Sequence, residues 1–159
     1  IYMGIMIGAM LGVFCLNFPK GKLFLGDGGA YLVGFLLALF SLLLVKKHSD
    51  ISPWFPLLVL IYPVNETLFS MYRKKVVSGK SAMQPDDLHL HMLIYQWLYK
   101  KNNLKLKSNY CVSIIINSIY LVSIIPGILF MQSGMFCKYY AIFLIFIYTV
   151  SYRIAYKKE

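Results

Sequence analysis

Residues 30–45 read Ala-Tyr-Leu-Val-Gly-Phe-Leu-Leu-Ala-Leu-Phe-Ser-Leu-Leu-Leu-Val, an apolar run that contains no charged residue. Such a run approaches the length that an α-helix needs to cross a bilayer. Further apolar runs lie at about 1–16, 53–71, 110–131 and 139–156. With 59% hydrophobic residues and a mean hydropathy of +0.66, the chain of 159 residues is too apolar for a soluble domain. The sequence therefore predicts an all-α, polytopic transmembrane helix bundle of about five spans, forming a single transmembrane domain over 1–159.

Basic residues lie mainly on one side of this predicted bundle. Most of the 16 Lys and Arg residues fall in the segments 17–29 and 72–109 and in the C-terminal tail. Alternation through five spans places these three segments on one side, which the positive-inside rule assigns to the cytosol. The net charge of +10 is thus explained by loops beside a lipid bilayer. No basic, aromatic-bearing soluble module is present, so we expect no nucleic-acid binding.

Asp27 is the only acidic residue among the first 49 and lies at the edge of an apolar run, in Gly26-Asp27-Gly28-Gly29. Carboxylates beside membrane spans are costly and mark functional sites. Glycines let the backbone approach a ligand closely, and a carboxylate is a ligand for hard cations. The pattern therefore predicts a ligand or cation site at Asp27.

A second cluster lies in the long loop, where Arg73 is followed by two histidines, His89 and His91. Arginine donates hydrogen bonds to phosphate oxygens, and histidine can donate hydrogen bonds or relay protons. The loop predicts a phosphate-handling or metal-linked site; the alternative is a solvated basic loop with incidental histidines. Residues two apart on a helix point about 200° apart. Both imidazoles can therefore meet one ligand only if this stretch is extended or irregular.

Residues 85–101 are predicted to form an amphipathic helix on the cytosolic surface, beginning at Pro85. Its apolar stripe consists of Leu88, Met92, Tyr95, Leu98 and Tyr99. The alternative is a short helix packed on the bundle. Glu66, near the end of the third predicted span, is interpreted either as a boundary residue that reaches the lipid headgroups or as a member of the site.

Two motifs resemble those of the polyprenyl-phosphate sugar-1-phosphate transferases, glycosyltransferase family 4, which includes phospho-N-acetylmuramoyl-pentapeptide transferase. Residues 17–29, Asn-Phe-Pro-Lys-Gly-Lys-Leu-Phe-Leu-Gly-Asp-Gly-Gly, are similar to the family's Asn-x-Pro-x-x-x-Phe-Met-Gly-Asp-x-Gly-Ser loop, with one residue more between Asn and Phe. The family's Pro-x-x-Asp-Thr…Arg…Gly…Pro-Asp-x-x-His-x-His loop is matched by Pro63-Val64-Asn65-Glu66-Thr67, Arg73, Gly79, Pro85-Asp86 and His89-Leu90-His91. The resemblance covers nearly the whole chain up to the last two spans.

The resemblance implies transfer of a sugar 1-phosphate from a UDP-sugar, by family default a UDP-N-acetylhexosamine, to undecaprenyl phosphate, with release of UMP. This reaction is the first membrane step of cell-envelope polysaccharide synthesis, as for O-antigen and lipopolysaccharide. The implied location is the bacterial inner membrane, with the site loops in the cytosol. Asp27 would coordinate Mg²⁺, or Mn²⁺, at the diphosphate. The other implied site residues are His89 and His91 at phosphate groups, and Asn17, Phe24, Gly26 and Arg73 at the substrate, with Phe24 and Gly26 at the uracil.

The chain also departs from the family pattern. Met92 and Asp87 stand where a third His and an Arg are common, which favours an O-antigen or capsule-type enzyme. Glu66 replaces an Asp. The family's paired aspartates and Asn-x-x-Asn-x-x-Asp-Gly loop belong upstream, and neither is present, since the only Asp-Asp of this chain, Asp86-Asp87, belongs to the histidine loop. We therefore expect the chain to be the C-terminal part of a larger transferase, inactive without its N-terminal half.

Two alternatives come from other classes. In a transporter or channel segment, Asp27 and Glu66 would lie on an ion path, although such charges are expected near the bilayer midplane. The second alternative is that the chain is a non-catalytic relic or a non-catalytic partner subunit.

Overall fold

The structure, a computed structural model, describes residues 2–18, 21, 23, 25–77, 79, 81, 88–102 and 105–157. Within these ranges no strand occurs, which confirms the all-α prediction. The helices are α1 (Tyr2–Asn17), α2 (Gly26–Lys47), α3 (Trp54–Val59), α4 (Ile61–Tyr72), α5 (Leu90–Asn102), α6 (Lys105–Leu129) and α7 (Gly134–Tyr156), and a π-helical turn (Arg73–Val77) follows α4. The chain forms two units, Ile1–Ile51 and Ser52–Glu159.

Three of the described helices are long and apolar enough to cross a membrane. They comprise Gly26–Lys47 with 22 residues, Asn109–Leu129 with 21 and Gly134–Tyr156 with 23, against a requirement of about 20. These helices correspond to the predicted spans 30–45, 110–131 and 139–156. Helix α1 is also apolar but has 16 residues. The prediction of a polytopic membrane bundle is therefore confirmed.

The third predicted span, 53–71, is a pair of short helices instead of one continuous helix. Helix α3 ends at Val59 and α4 begins at Ile61. Pro63 has no N–H, so the carbonyl of Val59, four residues earlier, lacks its usual helical donor. The hydroxyl of Tyr120 on α6 donates to this carbonyl instead. The break therefore lies where a proline removes one donor and a neighbouring helix supplies another.

Helix α7 organises the second unit because it buries one face along most of its length. The buried residues recur at three- and four-residue spacing, as expected for one helix face, and are Cys137, Ala141, Leu144, Tyr148 and Tyr152. This face contacts α3, α4, α5 and α6. Helix α6 also approaches α3 closely, because a Cβ atom at Gly127 would overlap the fully buried Leu58.

Helix α5 differs from its prediction in both its start and its buried face. It begins at Leu90, whereas Pro85, Asp86 and Asp87 lie outside the described residues. The predicted stripe is only partly right. Leu88 packs against the core cluster, but the buried residues that pack with Tyr148 and Tyr152 are Leu90 and Leu93, which the stripe did not include. The helix carries apolar residues on nearly every side, so its periodicity does not determine which face is buried. Its packing on α6 and α7 supports the alternative of a helix held against the bundle.

Candidate functional site

Glu66 lies at the point where α4, α5 and α7 meet, and its side chain is buried, with 9% of the residue exposed. Its Oε1 atom accepts a hydrogen bond of 2.8 Å from the backbone N–H of Leu90. Its Oε2 atom accepts one of 2.8 Å from the hydroxyl of Tyr148. One carboxylate therefore links three helices that are distant in sequence.

Both histidines of the long loop converge on this carboxylate. The Nδ1 atoms of His89 and His91 lie 3.3 and 3.4 Å from Oε1 of Glu66. The two imidazoles are stacked, with ring centroids 5.6 Å apart and an angle of 19° between the planes. His89 occupies a bend just before α5. The stretch is thus irregular, which is the condition under which the sequence allowed both rings to reach one partner.

The same carboxylate determines where α5 begins. The first N–H groups of a helix have no partner within the helix, and negative charge is favourable there. Oε1 of Glu66 accepts from Leu90, the first residue of α5, while the carbonyl of His89 accepts from the N–H groups of Met92 and Leu93 at 3.0 Å. The start of the helix and the position of both histidines therefore depend on Glu66.

Two tyrosines of α7 hold this segment from the other side. Tyr148 donates to Glu66, and the hydroxyl of Tyr152, one turn later, donates to the carbonyl of Leu88 at 2.9 Å. The ring of Phe69 on α4 lies 4.6 Å from that of Tyr152. Sequence reasoning missed both tyrosines as site residues. Their only signal is the four-residue spacing of two hydroxyls within an apolar span.

The charge state of Glu66 follows from its neighbours. Burial raises the pKa of the carboxyl. Hydrogen bonds from His91 and Tyr148, the charge of His91 and the N–H of Leu90 lower it by more, so the pKa lies below its ordinary value. Helix α4 lies outside the three candidate spans. The carboxylate is therefore ionised at neutral pH. The Nε2 atoms then lie at the opposite ring edges, and the side chains of His89 and His91 are 28% and 50% exposed.

A cavity of about 780 Å³ opens beside His91. Its walls come from α4, α5 and α6, and most of the side chains are apolar or aromatic. The residues are Tyr62, His91, Met92, Tyr95, Asn109, Val112, Ser113, Ile116 and Asn117. Sites for organic ligands are mostly apolar, with a few polar groups that fix orientation, and this cavity has that character.

The first unit contains the other predicted site residues of the Asp27 loop. Asp27 lies in the first turn of α2 and is exposed. Gly26 begins that helix with a φ of 71°, a conformation that favours glycine. Asn17 ends α1, and its carbonyl accepts a hydrogen bond from the N–H of Gly21 at 2.6 Å. Phe24 lies outside the described residues.

Arg73 belongs to the second unit, with the histidines. It opens the π-helical turn after α4 and is buried, with 8% of the residue exposed. It lines a cleft together with Leu88, the residue before His89. The structure therefore places Arg73 beside the segment that leads to His89.

The fit of the chain to a divalent cation depends on Asp27. In the part of the chain that the structure describes, no three His, Cys, Asp or Glu side chains are grouped to hold a metal ion. Mg²⁺ needs no such cage, because it is commonly bound by one or two carboxylates together with water and substrate phosphates. An exposed carboxylate beside a glycine-rich helix start suits that mode of binding, with Asp27 as one ligand.

The chain is similar to known proteins over its first part and, for one relative, over most of its length. Residues 1–45, which include Asn17, Gly26 and Asp27, match the model of glycosyl transferase family 4. The chain is 28% identical to the undecaprenyl-phosphate alpha-N-acetylglucosaminyl 1-phosphate transferase of Haemophilus influenzae over 140 residues, which cover 84% of this chain and 37% of that protein. No solved structure matches the chain.

Two other relatives show the breadth of this similarity. The chain is 31% identical over 88 residues to the probable undecaprenyl-phosphate N-acetylglucosaminyl 1-phosphate transferase of Bacillus subtilis, covering 55% of this chain and 24% of that protein. It is 33% identical over 97 residues to the phospho-N-acetylmuramoyl-pentapeptide-transferase of Streptococcus pyogenes, covering 56% and 27%. The chain thus spans about a quarter to two fifths of the length of these relatives. These matches confirm the resemblance carried by the two motifs: the chain is similar to the polyprenyl-phosphate sugar-1-phosphate transferases of glycosyl transferase family 4.

Proposed function

We propose that this chain carries part of the catalytic site of a transferase that moves an N-acetylhexosamine 1-phosphate from a UDP-sugar to undecaprenyl phosphate. A phosphate oxygen of the lipid attacks the sugar-bearing phosphorus of the UDP-sugar. The bond from that phosphorus to the bridging oxygen breaks, UMP leaves, and undecaprenyl-diphospho-sugar forms. The observation that carries the proposal is the convergence of His89 and His91 on the carboxylate of Glu66.

The histidine cluster supplies hydrogen bonds to phosphate oxygens. The Nδ1 atoms of both rings face the Glu66 carboxylate, which leaves the Nε2 edges of His89 and His91 to face a ligand. Phosphoryl transfer depends mainly on positioning and on stabilising charge on the phosphate oxygens. Two imidazoles fixed by one buried carboxylate meet that need, because their orientation does not change as the charge develops. Arg73 adds a cation at the same segment.

By family resemblance, the Asp27 loop is proposed to bind the nucleotide diphosphate. Asp27 would hold Mg²⁺, or Mn²⁺, which supplies neutralisation of the diphosphate charge when bound. The N-terminus of α2, where Gly26-Asp27-Gly28-Gly29 lies, presents backbone N–H groups that favour anions. Asn17, with Phe24 and Gly26 at the uracil, completes the nucleotide-binding set by family resemblance.

The lipid acceptor is proposed to reach the histidines through the cavity beside His91. The cavity places apolar side chains such as Val112 and Ile116 next to an imidazole. A phosphate attached to an isoprenoid chain needs this combination of an apolar wall and a nearby hydrogen-bond donor. The names of the Bacillus subtilis and Haemophilus influenzae relatives include undecaprenyl phosphate, which supports the assignment.

The segment that carries the histidines attaches to α7 towards one end of that helix. Tyr152, which donates to the carbonyl of Leu88, lies four residues before the end of α7, about 6 Å along the helix. We propose that this end faces the cytosol of a bacterial inner membrane and that the product enters O-antigen or related envelope polysaccharide synthesis.

A chimera tests this function directly. The aligned segment of the Haemophilus influenzae relative is replaced by this chain, and membranes are incubated with radiolabelled UDP-N-acetylglucosamine, undecaprenyl phosphate and Mg²⁺. We expect labelled lipid and an equal amount of UMP. Membranes that contain the chain alone should form neither product, because the paired aspartates expected upstream are missing from it.

Two outcomes would count against the proposal. A chimera that inserts and elutes from size-exclusion chromatography like the intact relative, yet makes no lipid-linked sugar with any UDP-N-acetylhexosamine, would exclude this chain as a site component. Transfer by the 159 residues alone would show that the chain needs no further carboxylates.

A further inference from the structure

A second cleft, of about 670 Å³, lies where the end of α4 and the π-helical turn meet the end of α7. Three of its lining residues are cationic: Arg73 from the π-helical turn, and Arg153 and Lys157 from the end of α7. No acidic residue is among the described residues that line it. Arg153 and Lys157 are four residues apart and therefore share one face of the helix. The cleft thus concentrates positive charge at one end of a candidate membrane span.

The residues around this cleft indicate its level relative to the membrane. Tyr72 and Tyr156 also line it and are 57% and 53% exposed. Tyrosines and basic residues at the ends of membrane spans mark the level of the lipid headgroups. Helix α7 is a candidate span that ends at Tyr156. The three cations therefore lie at headgroup depth, beside an aromatic surface that tolerates both water and lipid.

We propose that this cleft binds the phosphate headgroup of an anionic phospholipid. Basic pockets between membrane helices bind anionic headgroups, and each Lys or Arg near the surface strengthens such binding. The exposed tyrosines provide contact for the glycerol and the first part of the acyl chains. Leu88 and Tyr152 also line the cleft, so the bound lipid lies against the segment that holds the histidines.

Native mass spectrometry of the full 159-residue chain in detergent tests the proposal. The chain is titrated with phosphatidylglycerol and with phosphatidylcholine of the same acyl chains. We expect a preference of about tenfold or more for phosphatidylglycerol, since two or more cations contribute. The double variant Arg153→Gln/Lys157→Gln should bind both lipids about equally. Lys138→Gln, near Trp54 at the other end of α7, is the matched control and should keep the preference.

Competition measurements distinguish a phospholipid headgroup from other ligands that carry a phosphate. Millimolar inorganic phosphate should leave phosphatidylglycerol bound; displacement would assign the cleft to a free anion. Undecaprenyl phosphate should not outcompete phosphatidylglycerol; if it does, and the double variant abolishes that advantage, the cleft belongs to the acceptor lipid. An unchanged preference in a double variant that keeps wild-type helicity and phosphatidylcholine binding would overturn the proposal.

Discussion

At the scale of single residues, Glu66 connects the helices of the second unit to the segment that carries the histidines. It accepts hydrogen bonds from α5 and α7, faces both histidines and is buried. A buried carboxylate is stable only if its acceptors are satisfied. The side chains around it are therefore expected to contribute to stability as well as to the site.

Tyr148→Phe tests the stabilising part of this arrangement. The variant keeps the ring but removes a hydrogen bond to a charged acceptor, a contact that is typically worth about 1.5–3 kcal/mol. We expect the free energy of unfolding, measured in mixed detergent micelles by circular dichroism, to fall by about that amount. Tyr139→Phe is the control on the same helix, because Tyr139 is 60% exposed. Equal losses in both variants would show that the Tyr148 hydroxyl has no special role.

Asp27→Asn tests the proposed cation ligand. In the chimera, chelation by EDTA should stop transfer, and Mg²⁺ or Mn²⁺ should restore it. Asparagine keeps the size of the side chain but removes the charge, so Asp27→Asn should lower the maximal rate at least about tenfold and raise the Mg²⁺ concentration required for half-maximal rate. Asp50→Asn is the control in the same unit. A normal rate and an unchanged Mg²⁺ requirement in Asp27→Asn would refute the role as a metal ligand.

The sequence predicted some of these residues and not others, for physical reasons. His89, His91 and Arg73 could be predicted because few side chains bind phosphate and these lie close together in one loop. The sequence supports two interpretations of Glu66, because only the fold shows that the loop returns to α4 and buries this carboxylate. Tyr148 and Tyr152 were missed because tyrosine in an apolar span resembles ordinary packing.

At the scale of helices, the break between α3 and α4 depends on a replaced hydrogen bond. Tyr120→Phe removes the hydroxyl that donates to the carbonyl of Val59 in place of the absent N–H of Pro63. We expect a loss of about 1–3 kcal/mol in the free energy of unfolding, since a partly buried carbonyl is left without its donor. In a Pro63→Ala background, position 63 has its own N–H. Tyr120→Phe should then lower the free energy of unfolding by clearly less than it does in the wild-type background. Equal costs in the two backgrounds would contradict this account of the break.

The sequence predicts which helices are long enough to span a membrane, but it does not predict where α5 begins or which of its faces is buried. Long apolar runs specify spans such as α2 and α7 with little ambiguity. The start of α5 could not be predicted, because a carboxylate 24 residues earlier in the chain caps it. Its buried face could not be predicted because apolar side chains surround the helix, and only the tyrosines of α7 select Leu90 and Leu93.

At the scale of the whole molecule, the proposed function requires the long loop to face the cytosol. Helix α6 separates that loop from the 130–133 turn, so the two should lie on opposite sides of the membrane. We therefore expect Gln132→Cys to react with a membrane-impermeant maleimide in intact spheroplasts. Ser81→Cys should react only after lysis, with Cys15, Cys111 and Cys137 replaced by Ala in both variants. The reverse labelling pattern would place the histidine loop on the wrong side for a UDP-sugar.

The most direct measurement is the rate of sugar 1-phosphate transfer by the chimera that carries Glu66→Gln. Glutamine keeps the size of the side chain, but it removes the charge and one acceptor that hold both imidazoles. Misplaced catalytic groups commonly cost about 100-fold in rate, so we predict a fall of kcat by about 10- to 100-fold, with Glu66→Asp closer to wild type because it keeps a carboxylate. A kcat for Glu66→Gln equal to that of the unmodified chimera would contradict the claim that Glu66 positions the histidines for phosphoryl transfer.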